Sequence, residues 1–463
     1  MKTKQTRWQN AALAAVALVV AGLPVAAVEA TSGTAGQNPP AVPRKMANNR
    51  PFMMEADGRL RFDFGEERMV LEGGLQPFLL CTASGALVVQ VQSPDKPVDT
   101  PRIHYAYAMA TVVSRDGGRN WTPIPLKPGE NGLNSEGGAV QLRDGTILGL
   151  DTYITPGAKE GEGMGQRYTS KDDWRTLQGP EDIAFDLPQA SFHGSMNDGG
   201  KPSVNQRLHR RIVELPNGDL LTTYYGRQYG DKATTTYMPS RIRSRVVLIR
   251  STDRGKHWKL ISTVAVDPKV GTEGYNEPVL ARVSGGSHPG RLICLMRTGR
   301  ELQEAVSDDE GVTWSKPKPR VFAGLDIYRT ELWVDMFREV KRQGKFIDEN
   351  NPEELRGVVV DPDLIELRSG LLVAAFGVRV PQKGCFPNAY HPWNGNYLAV
   401  SRDHGETWSN VICLTSGVLT THYMGVEETA TDNELFVVYD HGAWAQKEER
   451  YTYGRSVKIT AKP

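Results

Sequence analysis

Six polar residues at the heads of apolar strands carry the first chemical signal in this sequence: Gln76, Glu136, His209, Glu277, Asp361 and Tyr423. Gln76, Glu136, His209 and Asp361 each stand nine positions before a turn glycine (Gly85, Gly145, Gly218 and Gly370). Glu277 holds the same place before Gly290 once the longer Ser-Gly-Gly-Ser-His-Pro-Gly turn is allowed for. A second set follows the turns: Gln92, Asp151, Tyr225, Arg297, Phe376 and Asp440, with Arg227, Arg379 and His441 just beyond. One polar residue at a strand head would be unremarkable, but a ring of them implies a polar site on a common axis. Carboxylates, a tyrosine and arginines in one funnel suit the binding and hydrolysis of a sugar.

The elements that position these residues repeat. Each unit is an apolar run, a turn and a second apolar run, as in Pro77–Val89 and Asp363–Phe376. The turns fall at Gly85, Gly145, Gly218, Gly290, Gly370 and Glu434, about 60 to 80 residues apart, somewhat above the usual propeller period. A Ser-x-Asp-x-Gly-x-x-Trp pattern follows as Ser114-Asp116-Gly118-Trp121, Ser251-Asp253-Gly255-Trp258, Ser307-Asp309-Gly311-Trp314 and Ser401-Asp403-Gly405-Trp408, with a shortened copy at Ser170-Asp172-Trp174. In such a turn the Asp accepts backbone N–H groups, Gly supplies a positive φ and Trp plugs an apolar layer, so these aspartates are structural. Two hairpin strands, a third leading into the Asp turn and a fourth beyond it make a four-stranded unit. The expected fold is all-β, a six-bladed β-propeller of four-stranded antiparallel blades. Arg59–Leu71 and Arg455–Thr460 read as strands that complete and close the ring. One amphipathic helix is expected over Asp326–Arg342, with Leu332, Trp333, Met336, Phe337 and Val340 on one face.

Composition places the chain among soluble globular proteins, with a formal net charge of +1 that suggests neither a nucleic-acid nor a polybasic membrane partner. Residues 1–30 read as a secretory signal peptide: a basic start, a short apolar core and a small-residue end near Ala27 or Ala30. Residues 31–50 read as a flexible lead-in and residues 51–463 as the propeller. The protein is therefore expected to be secreted or periplasmic, without a membrane span after signal removal. Cys81, Cys294, Cys385 and Cys413 could form two disulfides or remain buried thiols, and their spacing does not resemble a zinc site. No metal and no cofactor are expected. His104, His193, His391 and His422 lie in loops and are expected to be solvated, and the basic run Arg207–Arg211 reads as strand-edge charge.

The Asp turns and the six units resemble the sialidase (neuraminidase) superfamily over nearly all of residues 51–463. The resemblance implies a six-bladed propeller that removes terminal sialic acid, or a similar acidic sugar, from extracellular glycans. It implies a Tyr nucleophile activated by a Glu, an Asp acid/base and three Arg side chains clamping the substrate carboxylate, a known exception to the two-carboxylate scheme. An anionic substrate favours a neutral nucleophile, and a phenol with a pKa near 10 needs an adjacent base. By position, Tyr423 in T-H-Y-M-G-V matches the nucleophile, Glu277 in N-E-P-V-L its base and Arg297 in L-I-C-L-M-R-T-G one clamp Arg. The sequence departs from the pattern where Leu75 stands in place of the first Arg, and where H-P-W-N-G-N-Y-L-A-V lacks the third. Arg379 or Arg102 are the substitutes, and Asp95 and Asp99 the acid/base candidates. His209, Tyr225, Glu136 and Asp361 complete the expected glycan-binding set. Two alternatives stay open: another carbohydrate-active propeller enzyme, a hydrolase or a uronate lyase using His209, Tyr225 and arginines, and a non-catalytic glycan-binding propeller.

Overall fold

The computed structural model describes residues 50–98, 106–126, 132–197, 200–322, 324–325, 357–380, 393–444 and 449–462. The expected Asp326–Arg342 helix, the leader, Asp99, Arg102, His104, Cys385 and His391 lie outside the described residues. No described helix is long and apolar enough to cross a membrane.

The architecture is all-β. One four-stranded antiparallel sheet runs in sequence order through Leu75–Cys81, Leu87–Val98, Ala106–Ser114 and Thr122–Ile124. Another runs through Asn276–Arg282, Leu292–Arg297, Leu302–Ser307 and Lys318–Arg320. A third comprises Val358–Glu366, Leu372–Arg379, Gly395–Ser401 and Asn410–Ser416, with Phe52–Glu55 added at its edge. Between the first two in sequence comes a 10-stranded sheet whose halves are joined twice, by a parallel pairing of Gln178–Asp186 with His257–Ala265 and by Tyr153–Pro156, which pairs with both Glu162–Ser170 and Gln206–Leu208 and so closes seven strands into a ring. The last sheet pairs Met424–Glu428, Glu434–His441 and Tyr451–Ala461 with Leu60–Phe64 from near the start of the described chain, and Arg68–Glu72 also pairs with Tyr451–Ala461. The segments expected to close the ring, Arg59–Leu71 and Arg455–Thr460, thus share one sheet.

The strands are apolar nearly throughout because most are covered on both faces. Leu372–Val378 is buried at every position. Apolar clusters fill the gaps between successive sheets: Val279 and Ile293 meet Ala374 and Val378, and Val373 and Val400 meet Leu435 and Val437. A further cluster joins Phe436 and Val438 to Leu79 and Val89, so the last sheet packs on the first. The first strands of neighbouring sheets lie side by side: Asn276–Arg282 on Val358–Glu366, that strand on Met424–Glu428, and that one on Leu75–Cys81. The arrangement is propeller-like.

The Asp turns staple the far ends of the third strands. Ser307 Oγ donates to Asp309 Oδ1 at 2.7 Å and accepts Gly311 N–H at 2.8 Å, while Asp309 Oδ1 also accepts Thr313 N–H at 2.9 Å. The copies at Ser114, Ser251 and Ser401 repeat these bonds. In the shortened copy Trp174 takes the glycine's place, with φ +64° and its N–H on Ser170 Oγ at 3.1 Å. Its side chain is buried, so packing holds a left-handed conformation that its backbone resists. Cys81, Cys294 and Cys413 are free thiols. Burial pushes them up, Cys81 and Cys413 to about 12.

Candidate functional site

The inner strands are not regular where the ring residues sit. Gln76, Glu277 and Asp361 have φ of +55°, +38° and +48°, each at a register shift of its strand. A proline follows each of them: Pro77, Pro278 and Pro362. A bulge leaves one residue out of the ladder and re-aims its side chain, and proline there surrenders no ladder N–H. A non-glycine residue at positive φ costs on the order of 1–3 kcal/mol, a cost that surrounding packing must offset. The Gln-Pro, Glu-Pro and Asp-Pro pairs are a sequence signal for these bulges. A wider break separates Gln206–Leu208 from Val213–Glu214: both pair with Leu220–Gly226, and residues 209–212 face only Thr222 and Thr223. His209, Arg210 and Arg211 occupy that break, the last two at φ +33° and +69°. Glu136 sits on a 3-10 turn, Ser135–Gly137, where Asn134 Oδ1 accepts its N–H at 3.1 Å.

Arg210 and Arg211 are not strand-edge charge, contrary to the sequence expectation. Arg210 is 2% exposed and grips Asp361 through Nη2–Oδ2 at 2.6 Å and Nε–Oδ1 at 3.1 Å. Arg211 grips Asp363 at 2.6 and 2.7 Å and reaches Glu427 at 2.5 Å. Asp361 and Asp363 also accept Met424 N–H and Val426 N–H. Bidentate guanidinium–carboxylate pairs thereby tie three inner strands together beneath the site.

Above this layer a cavity of about 330 Å³ opens, lined by Glu136, Tyr153, Arg207, Tyr225, Arg227, Arg241, Glu273, Glu277, Arg297, Arg379, Tyr423 and Trp444 among others. Tyr423 Oη donates a short hydrogen bond to Glu277 Oε1. Arg297 Nη1 lies 2.7 Å from the same oxygen and 3.4 Å from Tyr423 Oη, and its Nε lies 2.9 Å from Glu273 Oε1. Tyr237 Oη donates to Glu273 Oε2 at 3.1 Å and accepts from Arg241 at 2.5 Å. Arg379 lies 6.0 Å from the centre of the Tyr423 ring and donates to Thr421 O at 2.8 Å. Arg207 pairs with Glu136 at 2.8 Å and lies over the Tyr153 and Tyr225 rings.

Burial works to raise the Glu277 carboxyl, but the Arg297 charge and the bonds from Arg297 and Tyr423 hold it well below the usual carboxylate range. Burial and the Glu277 charge push the Tyr423 phenol well above its usual value, against Arg297. The pair therefore rests as carboxylate and neutral phenol. Burial also holds Arg227 down, to about 10, and Arg241 below the ordinary arginine range. Five lining arginines face three lining glutamates, so the cavity favours an anion.

Of the residues expected from sequence, Tyr423, Glu277, Arg297, Arg379, Tyr225 and Glu136 line this cavity. His209 and Asp361 lie just beneath it, 1% and 0% exposed. Asp95 is not among the lining residues: it pairs with Arg450 at 3.0 Å, and Arg450 donates to the carbonyl of lining Trp444. Arg207, expected as strand-edge charge, lines the cavity instead; Arg241 and Glu273 escaped the sequence reading, though Glu273, four positions before Glu277, could have been suspected from E-G-Y-N-E. His422 is buried, not solvated, and burial with the Arg379 charge holds it well below its ordinary value.

No family model matches the sequence, and no curated protein does. Among solved structures, a protein of unknown function from Dyadobacter fermentans DSM 18053 superposes with a TM-score of 0.55 at 17% identity, covering 86% of this chain and 99% of that one. An α-L-arabinanase of Penicillium chrysogenum complexed with arabinobiose gives a TM-score of 0.48 at 13% identity, over 86% and 97% of the two chains. The GH93 α-L-arabinofuranosidase of Fusarium graminearum with arabinobiose gives 0.48 at 11%, over 85% and 97%. At these identities the likeness to the Dyadobacter protein is one of fold.

Proposed function

We propose that this protein is a secreted or periplasmic exo-glycosidase of sialidase type, a six-bladed propeller that removes a terminal acidic sugar from extracellular glycans. The observation that carries the reading is the Tyr423–Glu277 hydrogen bond at the wall of an arginine-rich cavity. A glycan-binding module has no need of a phenol held on a buried carboxylate; a Tyr nucleophile requires it. The six-blade count stays part of this reading: three separate four-stranded antiparallel units follow the pattern, while the second and third units are merged in one 10-stranded sheet.

In this reading the substrate carboxylate enters among Arg297, Arg379, Arg241 and Arg207. Arg379 takes the place of a clamp Arg missing from the expected position; Arg102 remains the other substitute. By drawing on Arg297, the substrate anion relaxes that guanidinium's hold on Glu277, whose proton affinity then rises. Tyr423 Oη attacks the anomeric carbon as its proton passes to Glu277, and the glycosidic oxygen leaves with a proton from the acid/base; Asp95, outside the lining and held by Arg450, leaves Asp99 as the candidate. Water, deprotonated by the same acid/base, then releases the sugar from Tyr423 while Glu277 returns the proton to the phenol. His209 does not line the cavity, which speaks against a lyase with His209 as its base.

The test is hydrolysis of 4-methylumbelliferyl α-sialoside and of matched uronides, with the anomer formed first read by NMR. Turnover with retention, and a fluorosugar adduct mapped by mass spectrometry to the Tyr423 peptide, are expected. Inversion, or an adduct on another residue, sinks the Tyr423 mechanism. No turnover of any acidic glycoside by folded protein sinks the activity.

A further inference from the structure

We infer that Glu136, His209 and Asp361 form a binding site for one first-row divalent cation of zinc-like preference, at the floor of the cavity. The three side chains come from separate strands or turns far apart in sequence and are 6%, 1% and 0% exposed. Their inward donor atoms all lie within 4.8 Å of one another. His209 Nε2 is 3.3 Å from Asp361 Oδ1 and 3.9 Å from Glu136 Oε1. Donors bound about 2.0–2.2 Å from one metal stand roughly 3–4 Å apart, so only small movements separate this arrangement from a coordination shell.

The outer partners are the ones a metal site uses. His209 Nδ1 lies 3.0 Å from the carbonyl of Pro278, which fixes the ring proton there and turns the Nε2 lone pair inward. Arg207 holds Glu136 Oε2 at 2.8 Å, and Arg210 with Met424 N–H holds Asp361 Oδ2 at 2.6 and 3.0 Å. That orients Nε2, Oε1 and Oδ1 toward one point. Nε2 is fully buried and makes no hydrogen bond, although Asp361 Oδ1 lies 3.3 Å away. A lone pair facing two carboxylate oxygens is repulsive, and a cation between them removes the repulsion. Arg210 Nε, 3.1 Å from Oδ1, is the nearest competing charge, and Arg210 is itself shared with Asp363. One imidazole and two carboxylates suit zinc or cobalt better than calcium, which takes more oxygen ligands.

The test uses full-length protein stripped with a chelator, then titrated with Co²⁺ and with Zn²⁺. One Co²⁺ per chain, visible d–d bands displaced by Zn²⁺, and a raised thermal midpoint are expected. Glu136→Gln keeps the shape and should weaken binding by more than about 10-fold. Should that variant fail to fold, ¹⁵N NMR of wild type decides: Zn²⁺ should move His209 Nε2 and leave Nδ1 protonated. No Co²⁺ uptake by folded wild type, uptake unchanged in folded Glu136→Gln, or a static Nε2 resonance overturns the assignment. None of these readouts depends on glycosidase activity.

Discussion

Tyr423 donates to Glu277 Oε1 across 146 residues of sequence, and the same oxygen lies 2.7 Å from Arg297. Phenol, carboxylate and guanidinium meet because the bulged Asn276–Arg282 strand, its hairpin partner Leu292–Arg297 and the residue leading into Met424–Glu428 converge on one cavity. The arginine keeps the carboxylate ionised without taking the proton the tyrosine must lose.

Removing either partner of the pair separates chemistry from folding. Tyr423→Phe should abolish hydrolysis of acidic glycosides while the unfolding transition moves little. Glu277→Gln should lower kcat by about 10²–10⁴-fold, the range for a positioned general base. Steady-state kinetics beside thermal unfolding check both; a Tyr423→Phe enzyme with wild-type kcat removes the nucleophile assignment.

Arg379 lies over the Tyr423 ring, lines the cavity and donates to the Thr421 carbonyl. Arg379→Met should therefore raise KM for carboxylate-bearing substrates by about 10-fold or more, a charge-assisted hydrogen bond being worth roughly 1.5–3 kcal/mol. The methyl ester of the same substrate should show no such change. Equal losses on acid and ester would mean that Arg379 shapes the cavity without binding the anion.

Glu427 sets a pH dependence of stability. Burial pushes its carboxyl up to about 7 from an ordinary 4.5, against the pull of Arg211. The folded state therefore holds this proton more tightly, and stability falls as pH rises from about 4.5 to 7, by roughly 3 kcal/mol. Glu427→Gln should flatten that part of the urea-denaturation profile. Glu277 acts in the opposite sense: its contribution is present above the ordinary carboxylate range and fades as pH falls below it.

Asp403 accepts bonds from Ser401 Oγ, Thr407 N–H and Thr407 Oγ1 at 2.6–2.8 Å. Asp403→Ala should cost about 1–3 kcal/mol in unfolding free energy and leave kcat/KM unchanged, since Asp403 does not line the cavity. Loss of activity without loss of stability would contradict a purely structural turn.

Much of the architecture was legible in the residues alone. Apolar runs broken by glycine turns marked the strands, the Ser-x-Asp turns marked the third-strand ends, and Arg59–Leu71 and Arg455–Thr460, read as closing strands, do share one sheet. Four of the six polar strand heads, Gln76, Glu136, Glu277 and Tyr423, line the cavity, because strand period and turn position are local properties. Tertiary structure alone decided which charges face which. Arg210 and Arg211 look like edge charge in R-L-H-R-R, yet a break in the strand turns them inward onto Asp361 and Asp363. Arg241 and Glu273 join the cavity from loops whose sequence has no period to betray them, and Arg207 from a three-residue strand too short to show one. His209 gained carboxylate neighbours from residues 136 and 361 only when the sheets were brought together. A sequence records alternation along one strand; the partner across the axis depends on bulges and on the packing of the last sheet against the first.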